Sequence, residues 1–403
     1  MAVADSPLPA LAPVAGVRLA SVAAGVRKAD ELDLVVMSLA AGSRVAGVFT
    51  RNRFRAAPVR LAEAHLRDDT PRALLINTGN ANAGTGAAGD RAVAQNCARL
   101  ATILGCRPTQ IIPYSTGVIG EALPAGRIDA ALPAAVEGLR DDGWAVAADA
   151  IRTTDTRPKG RSRALELGAG TVTLTGIAKG SGMIRPDMAT MLAYVATDAD
   201  IEPALLRRLL RDAVAVSFNR ISVDGDTSTN DACALIATGA SGVALTAAAD
   251  IDAFGEALTA LCTDLAREIV ADGEGATREL AVRVTGAGDV AEAERVGFAV
   301  AESPLVKTAL FAADPNWGRI LAAVGRAGID DLRIERVGLR IGDEPVVEAG
   351  ELSADYHEAA VAGCMAADRV VFHIDLDRGA AEATIWSCDL SCDYVRINAE
   401  YRS

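Results

Sequence analysis

The chain is short of the residues from which most hydrolytic and metal-dependent sites are built. It has three histidines, His65, His357 and His373, far apart in sequence, so a Ser-His-Asp or Cys-His mechanism would have to draw its general base from isolated residues. Its seven cysteines, at 97, 106, 233, 262, 364, 388 and 392, are scattered and include no Cys-x-x-Cys pair. Zinc ligands come clustered, so no metal is expected, and the thiols read as buried and reduced. Aromatic residues make up only 4% of the chain, which leaves the core to small and branched aliphatic side chains packed at close range. Positive charge is also in deficit. Forty Lys and Arg face 53 Asp and Glu, a net charge of −13, which argues against nucleic acid or an anionic membrane as partner. No uncharged apolar run reaches the roughly eighteen residues of a membrane span. Asp5, Pro7, Pro9 and Pro13 interrupt the apolar start and no basic stretch precedes it, so no signal peptide is expected and the expected location is the cytoplasm.

What is present is a chain of 403 residues, half of them hydrophobic, with 37 glycines. That is length enough for two or more domains with a large buried core, and the composition suits a layered α/β architecture. Strand-like segments fall at Leu32–Ser38, Val45–Thr50, Ala73–Asn77, Gln110–Tyr114, Thr171–Ala178 and Met191–Thr197. Helix-like spacing marks Asp90–Leu104, Ile128–Leu139 and Pro203–Val216. Beyond them lie a helix-like Ile251–Val270 and strand-like stretches near Leu280–Thr285, Arg336–Ile341, Val370–Ile374 and Ala381–Trp386. The fold class expected is α/β, without the strict βαβ alternation of a dinucleotide-binding fold. The run from Gly79 to Gly86 has the Gly-x-x-x-x-Gly spacing of a phosphate loop but lacks the following Lys-Ser/Thr, and reads as a tight turn.

The segment Lys179-Gly180-Ser181-Gly182-Met183-Ile184-Arg185-Pro186-Asp187-Met188-Ala189-Thr190-Met191-Leu192 places a threonine behind a small residue just before a strand-like run. Alone, Ala189-Thr190 reads as an ordinary strand start. It is also the layout of a self-cleaving nucleophile. Once the Ala189-Thr190 bond is cut, Thr190 carries both a hydroxyl and a free α-amine, whose pKa of about 7.7–8.0 lets it take a proton near neutrality. The segment closely resembles the processing site of the ornithine acetyltransferase (glutamate N-acetyltransferase) family, whose members cut themselves before the threonine of a KG-x-GM-x-x-P-x-MATML stretch. Further segments resemble the family's in the same order: Asn77–Ala83, Ser115–Gly120, Thr153–Thr156, Asp224–Asp231, Asp272–Thr277, Ser303–Ala309, Asp314–Arg319 and the stretch from Tyr394 to Ser403. The resemblance spans nearly the whole chain.

Acetyl transfer between amines needs a nucleophile, a base, and donors aimed at the oxygen that turns negative in the tetrahedral intermediate. Thr190 supplies the first two. Thr116-Gly117, following the strand-like Gln110–Tyr114, reads from its residues alone as a turn that ends a strand, or as a site where glycine exposes an N–H beside a hydroxyl donor. The resemblance implies the second, an oxyanion hole of Thr116 and Gly117. It also implies substrate contacts at Thr153, Lys179, Thr190, Glu274, Asn398 and Ser403, the last standing where many members end in threonine. Read without it, Lys179 is a solvated charge, Glu274 a loop carboxylate and Asn398 a surface residue.

The activity implied is transfer of the acetyl group of N-acetylornithine to glutamate through an acetyl-Thr190 intermediate, within arginine biosynthesis. Some members also use acetyl-CoA as donor; beyond that co-substrate no cofactor is expected. The resemblance further implies sheets sandwiched between helices, and a chain cut into fragments 1–189 and 190–403 that stay together as an α2β2 assembly. A C-terminal subdomain is expected over 287–403. Two other readings stand beside it. One is a self-cleaving N-terminal-nucleophile aminopeptidase or amidase, in which water takes the acyl group. The other is a non-catalytic binding or scaffold protein that keeps the fold.

Overall fold

The computed structural model describes residues 7–27, 30–185 and 191–400. In it the chain divides into a larger unit, Pro7–Asn219 with Thr227–Ile269, and a smaller one that takes Arg220–Asp226 and the chain from Val270 onward.

The larger unit contains β1 (Val17–Val22), β2 (Leu34–Leu39), β3 (Arg44–Phe49), α1 (Ala57–Asp68), β4 (Ala73–Asn80), α2 (Gly86–Leu104), β5 (Ile111–Val118), α3 (Ala125–Glu137) and α4 (Trp144–Ala150). It continues with β6 (Lys159–Leu167), β7 (Gly170–Lys179), β8 (Leu192–Thr197), α5 (Pro203–Val216), β9 (Ala232–Ala237) and α6 (Ala248–Ala271), whose last two residues begin the smaller unit. A four-stranded sheet runs in the order β1-β2-β4-β5 and a five-stranded sheet in the order β3-β9-β8-β7-β6. β4 pairs parallel with β5, and β8 with β9.

Strand side chains alternate between faces, and here both faces are covered. Val35 and Met37 of β2 enter a core shared with Ile177, Tyr194 and Ile236 of the five-stranded sheet. Leu34 and Val36 point the other way, against Val93, Cys97 and Leu100 of α2 and Leu132 of α3. On the far side of the second sheet, a Cβ added to Gly176 would stand 2.8 Å from Leu261 Cδ2 and 3.2 Å from Leu265 Cδ1 of α6. The two sheets thus lie face to face between helices, as expected. Glycine and alanine let the layers come this close without aromatic bulk. α5 is entered through Glu202, whose carboxylate accepts the N–H groups of Ala204 (2.8 Å) and Leu205 (3.0 Å), with Pro203 in the first turn.

In the smaller unit follow β10 (Glu279–Ala287), α7 (Val290–Ala301), α8 (Pro304–Phe311), α9 (Trp317–Gly325), β11 (Gly338–Ile341), β12 (Glu344–Glu348), β13 (Glu351–Leu352), α10 (Glu358–Met365), β14 (Arg369–Asp375), β15 (Ala381–Cys388) and α11 (Cys392–Ala399). Its sheet has the order β13-β12-β11-β14-β10-β15. One face, with Val282, Val284, Phe372 and Ile385, packs on Val296 and Val300 of α7 and Leu310 of α8. Arg283 and Asp375 are exposed. This is the half-buried pattern of a mostly antiparallel sheet.

Most of the elements read from periodicity are present, with ends shifted by a few residues. β9 was not among them, because its six residues are all buried and a short apolar run has no period to read. β6 was hidden for the opposite reason, by the charges of Lys159, Arg161, Arg163 and Glu166. The seven cysteines are free, but they are not all buried as expected: Cys106 and Cys364 are half-buried and Cys392 is exposed. Among the described residues no helix is long and apolar enough to cross a membrane.

The rings of Tyr114 and Tyr194 meet edge to face at 5.1 Å in the core between the sheets. Both hydroxyls are buried without a hydrogen-bond partner among the described residues, and such a group costs about 1–3 kcal/mol. Tyr194→Phe keeps the ring and removes the hydroxyl. Urea unfolding should therefore show a variant at least as stable as the wild type, and a loss above about 1 kcal/mol would contradict this.

Candidate active site

The register of the five-stranded sheet brings distant segments to one end. Lys179 of β7 lies opposite Leu192 of β8, and Leu192 opposite Ala232 of β9. Just beyond, the Ala232 N–H donates to the Met191 carbonyl at 2.9 Å. The last residue of β7 therefore sits beside the first residues of β8 and β9. Ala189, Thr190 and Ser403 lie outside the described residues.

Asp155 ties two of the expected substrate contacts into one frame. Its Oδ1 accepts from Lys159 Nζ at 2.6 Å and from the Gly180 N–H at 2.6 Å, and its Oδ2 accepts from the Thr153 N–H at 3.0 Å. The side chains of Asp155 and Lys159 are wholly buried. Burial pushes the Asp155 carboxyl up, but the Lys159 ammonium, then that of Lys179, then the Gly180 N–H outweigh it and hold it well below the usual carboxylate range. Lys179, contrary to its reading as a solvated charge, is buried. Its ammonium makes no hydrogen bond or ion pair among the described residues.

Thr116 and Gly117 stand near the end of β5, which runs on through Val118 instead of stopping at Tyr114. Thr78 pairs with Thr116 and Gly79 with Gly117, and the register slips at Asn80. Gly117 has φ +134°, and a Cβ there would fall 2.2 Å from the Gly79 carbonyl carbon and 2.5 Å from Asn80 N. Only glycine fits this close approach. Next to it, Asn230 Nδ2 donates to the carbonyls of Ser115 (2.9 Å) and Ala81 (2.6 Å). Asn230 thus binds the end of β5 to the segment that leads into β9. The run from Gly79 to Gly86 is a turn knitted by its own side chains: Asn80 Oδ1 accepts the Asn82 N–H at 2.8 Å, and Asn82 Nδ2 donates to the Gly89 carbonyl at 3.0 Å.

Asp231, beside Asn230, is buried, and its Oδ2 has no hydrogen-bond partner among the described residues. Burial pushes this carboxyl well above its ordinary range, and the Ser228 hydroxyl and the Lys179 charge only partly offset the effect. Lys179 thus has one ionised carboxylate and one that resists ionisation within reach of its field. Asp155, Asn230 and Asp231 all fall in motif segments, Thr153–Thr156 and Asp224–Asp231, but nothing in their spacing marks these roles. Lys159 carries no motif at all.

Within the smaller unit, Glu274 and Asn398 are joined: Asn398 Nδ2 donates to Glu274 Oε2 at 2.8 Å. Glu274 is buried and Asn398 exposed. The loop carrying Glu274 is pinned to the start of α11, where Ser391 Oγ donates to the Gly275 carbonyl at 2.6 Å. Gly275, at φ +71°, leaves no room for a side chain, since a Cβ would lie 2.5 Å from Tyr394 N. Among the described residues no group of His, Cys, Asp and Glu is arranged to hold a metal.

Comparison with known proteins agrees over the whole length. The model of the ArgJ family matches residues 18–403. A protein of Pseudomonas fluorescens (strain Pf0-1) described as arginine biosynthesis bifunctional protein ArgJ is 50% identical over 406 residues, covering 100% of both chains. One of the same description from Pseudomonas syringae pv. tomato (strain ATCC BAA-871 / DC3000) matches at the same identity and coverage. A solved structure, the arginine biosynthesis bifunctional protein argJ of Bacillus halodurans, is 41% identical with a TM-score of 0.51, and its chain is covered in full by 53% of this one.

The Asp231 carboxyl sets a pH dependence of stability. A carboxyl whose folded-state pKa is raised favours the fold below its unfolded value of about 3.9, and that contribution is lost as pH rises toward the folded value. Asp231→Asn cannot ionise. Denaturant unfolding at about pH 5 and about pH 8 should show the Asn variant gaining on the wild type as pH rises, by at most about 1.4 kcal/mol per unit. A gap that stays constant or narrows would contradict the raised pKa.

Proposed function

We propose, from the premise that the chain belongs to the ArgJ family, that it transfers the acetyl group of N-acetylornithine to glutamate. The Thr190 hydroxyl attacks the acetyl carbonyl while its own α-amine takes the proton. The Thr116 hydroxyl and the Gly117 N–H receive the oxyanion. Ornithine leaves as the intermediate collapses to an acetyl ester on Thr190, and the amine of glutamate then takes the acetyl group to give N-acetylglutamate. Lys179 pairs with a substrate carboxylate, Glu274 with an ammonium, and Thr153, Asn398 and Ser403 supply hydrogen bonds.

The observation that carries this reading is the full-length match at 50% identity, together with a lysine at the end of β7 whose charge is unpaired among the described residues, beside the strand that begins just after Thr190. The fragments 1–189 and 190–403 would stay paired and double to α2β2. Either acetyl donor serves the same nucleophile, so acetyl-CoA enters as a second donor if it fits.

The purified wild type should give two masses, for 189 and 214 residues, and glutamate-dependent release of ornithine. Thr190→Ala should give one uncut chain without activity; an uncut Thr190→Ala protein with full activity would overturn the mechanism. Ornithine release that does not depend on glutamate would favour the amidase. An assay with acetyl-CoA and glutamate decides the second donor.

A further inference from the structure

Two buried lysines share one carboxylate in the larger unit, and only one of them touches it. Lys159 Nζ lies 2.6 Å from Asp155 Oδ1, with neither side chain exposed. Lys179 acts on the same carboxylate through its field, its ammonium making no bond to any described residue. Resting on the reading above, in which Lys179 receives a substrate carboxylate, we propose that Lys159 is a positioning residue: by occupying Asp155 it leaves the charge of Lys179 free for an anionic substrate.

Charge balance requires something of this kind. Opposite charges in a protein interior attract strongly, and a buried charge without a partner is costly. Asp155 cannot move away from Lys179, because the Gly180 N–H, one residue on, holds its Oδ1 at 2.6 Å and the Thr153 N–H holds its Oδ2. A lysine on a flexible four-carbon stem next to an open carboxylate would close on it. Lys159 prevents this and cancels the charge of Asp155, so the cluster keeps a net positive charge that one carboxylate can balance. Among the described residues, two nearby carboxylates leave the balance intact. Glu268, the other carboxylate near Lys159, is taken by Arg161. Asp231, near Lys179, is driven toward its neutral form by burial.

Removing Lys159 should therefore switch Lys179 onto Asp155 without unfolding the protein. In Lys159→Met, the KM for glutamate should rise about tenfold or more while kcat stays within about threefold, with a cooperative thermal transition retained; tenfold corresponds to about 1.4 kcal/mol. Asp155→Asn/Lys159→Met removes both charges and frees Lys179, so its KM should return to within about threefold of the wild type. A pair that only holds the loop in place predicts the reverse, a double variant no better than the single one, and that result overturns the proposal. So does a Lys159→Met protein that is insoluble, because Lys179 has then not replaced Lys159. A wild type without glutamate-dependent turnover overturns the functional reading and this proposal with it, whereas an active wild type lacking the KM pattern overturns this proposal alone.

Discussion

The candidate site depends first on the ladder that sets β8 between β7 and β9. Because Lys179, Leu192 and Ala232 are neighbours across it, the start of β8 is held from both sides by backbone hydrogen bonds. Strands buried on both faces cannot slip by one residue without turning their apolar set around, and β8 and β9 are buried at every position. A break in the chain just ahead of β8 would leave that ladder intact. The second fragment would begin just ahead of a strand that is already paired on both sides.

Onto this frame the structure adds an electrostatic arrangement that is costly by itself. Asp155 and Lys159 are both withdrawn from water, and a buried ion pair is poor evidence for stability. Its value here lies in geometry: one carboxylate fixes the backbone at Thr153 and at Gly180 and accounts for one of two nearby positive charges. The bulged end of β5 is fixed differently, by backbone approach at Gly79 and Gly117 so close that a methyl group would not fit.

How much of this was readable in the sequence follows from where each interaction lies. The proposed nucleophile, its small neighbour and Lys179 fall within fourteen consecutive residues, so the chemistry proposed for them could be read together. The apolar run of β2 and the periodic α5 announced themselves. Lys159 did not, because a lysine at a strand start reads as solvated, and its burial depends on Asp155 being held by partners that only the fold supplies. Asn230 joins residues more than a hundred positions away, and the Glu274–Asn398 contact spans a similar gap. Neither leaves a local pattern. Asp231 sits in a polar run, Asp224–Asp231, that looks like a surface turn, yet its carboxyl is buried.

The central claim is that a chain start at Thr190 carries the acetyl group. The direct measurement is a mass spectrum of the protein quenched after mixing with N-acetylornithine in the absence of glutamate. The account predicts one added acetyl group on the fragment that begins at Thr190, none on the fragment that ends at Ala189, and loss of the added mass when glutamate is supplied. An active protein that never acquires the acetyl group, or acquires it at another residue, would contradict it.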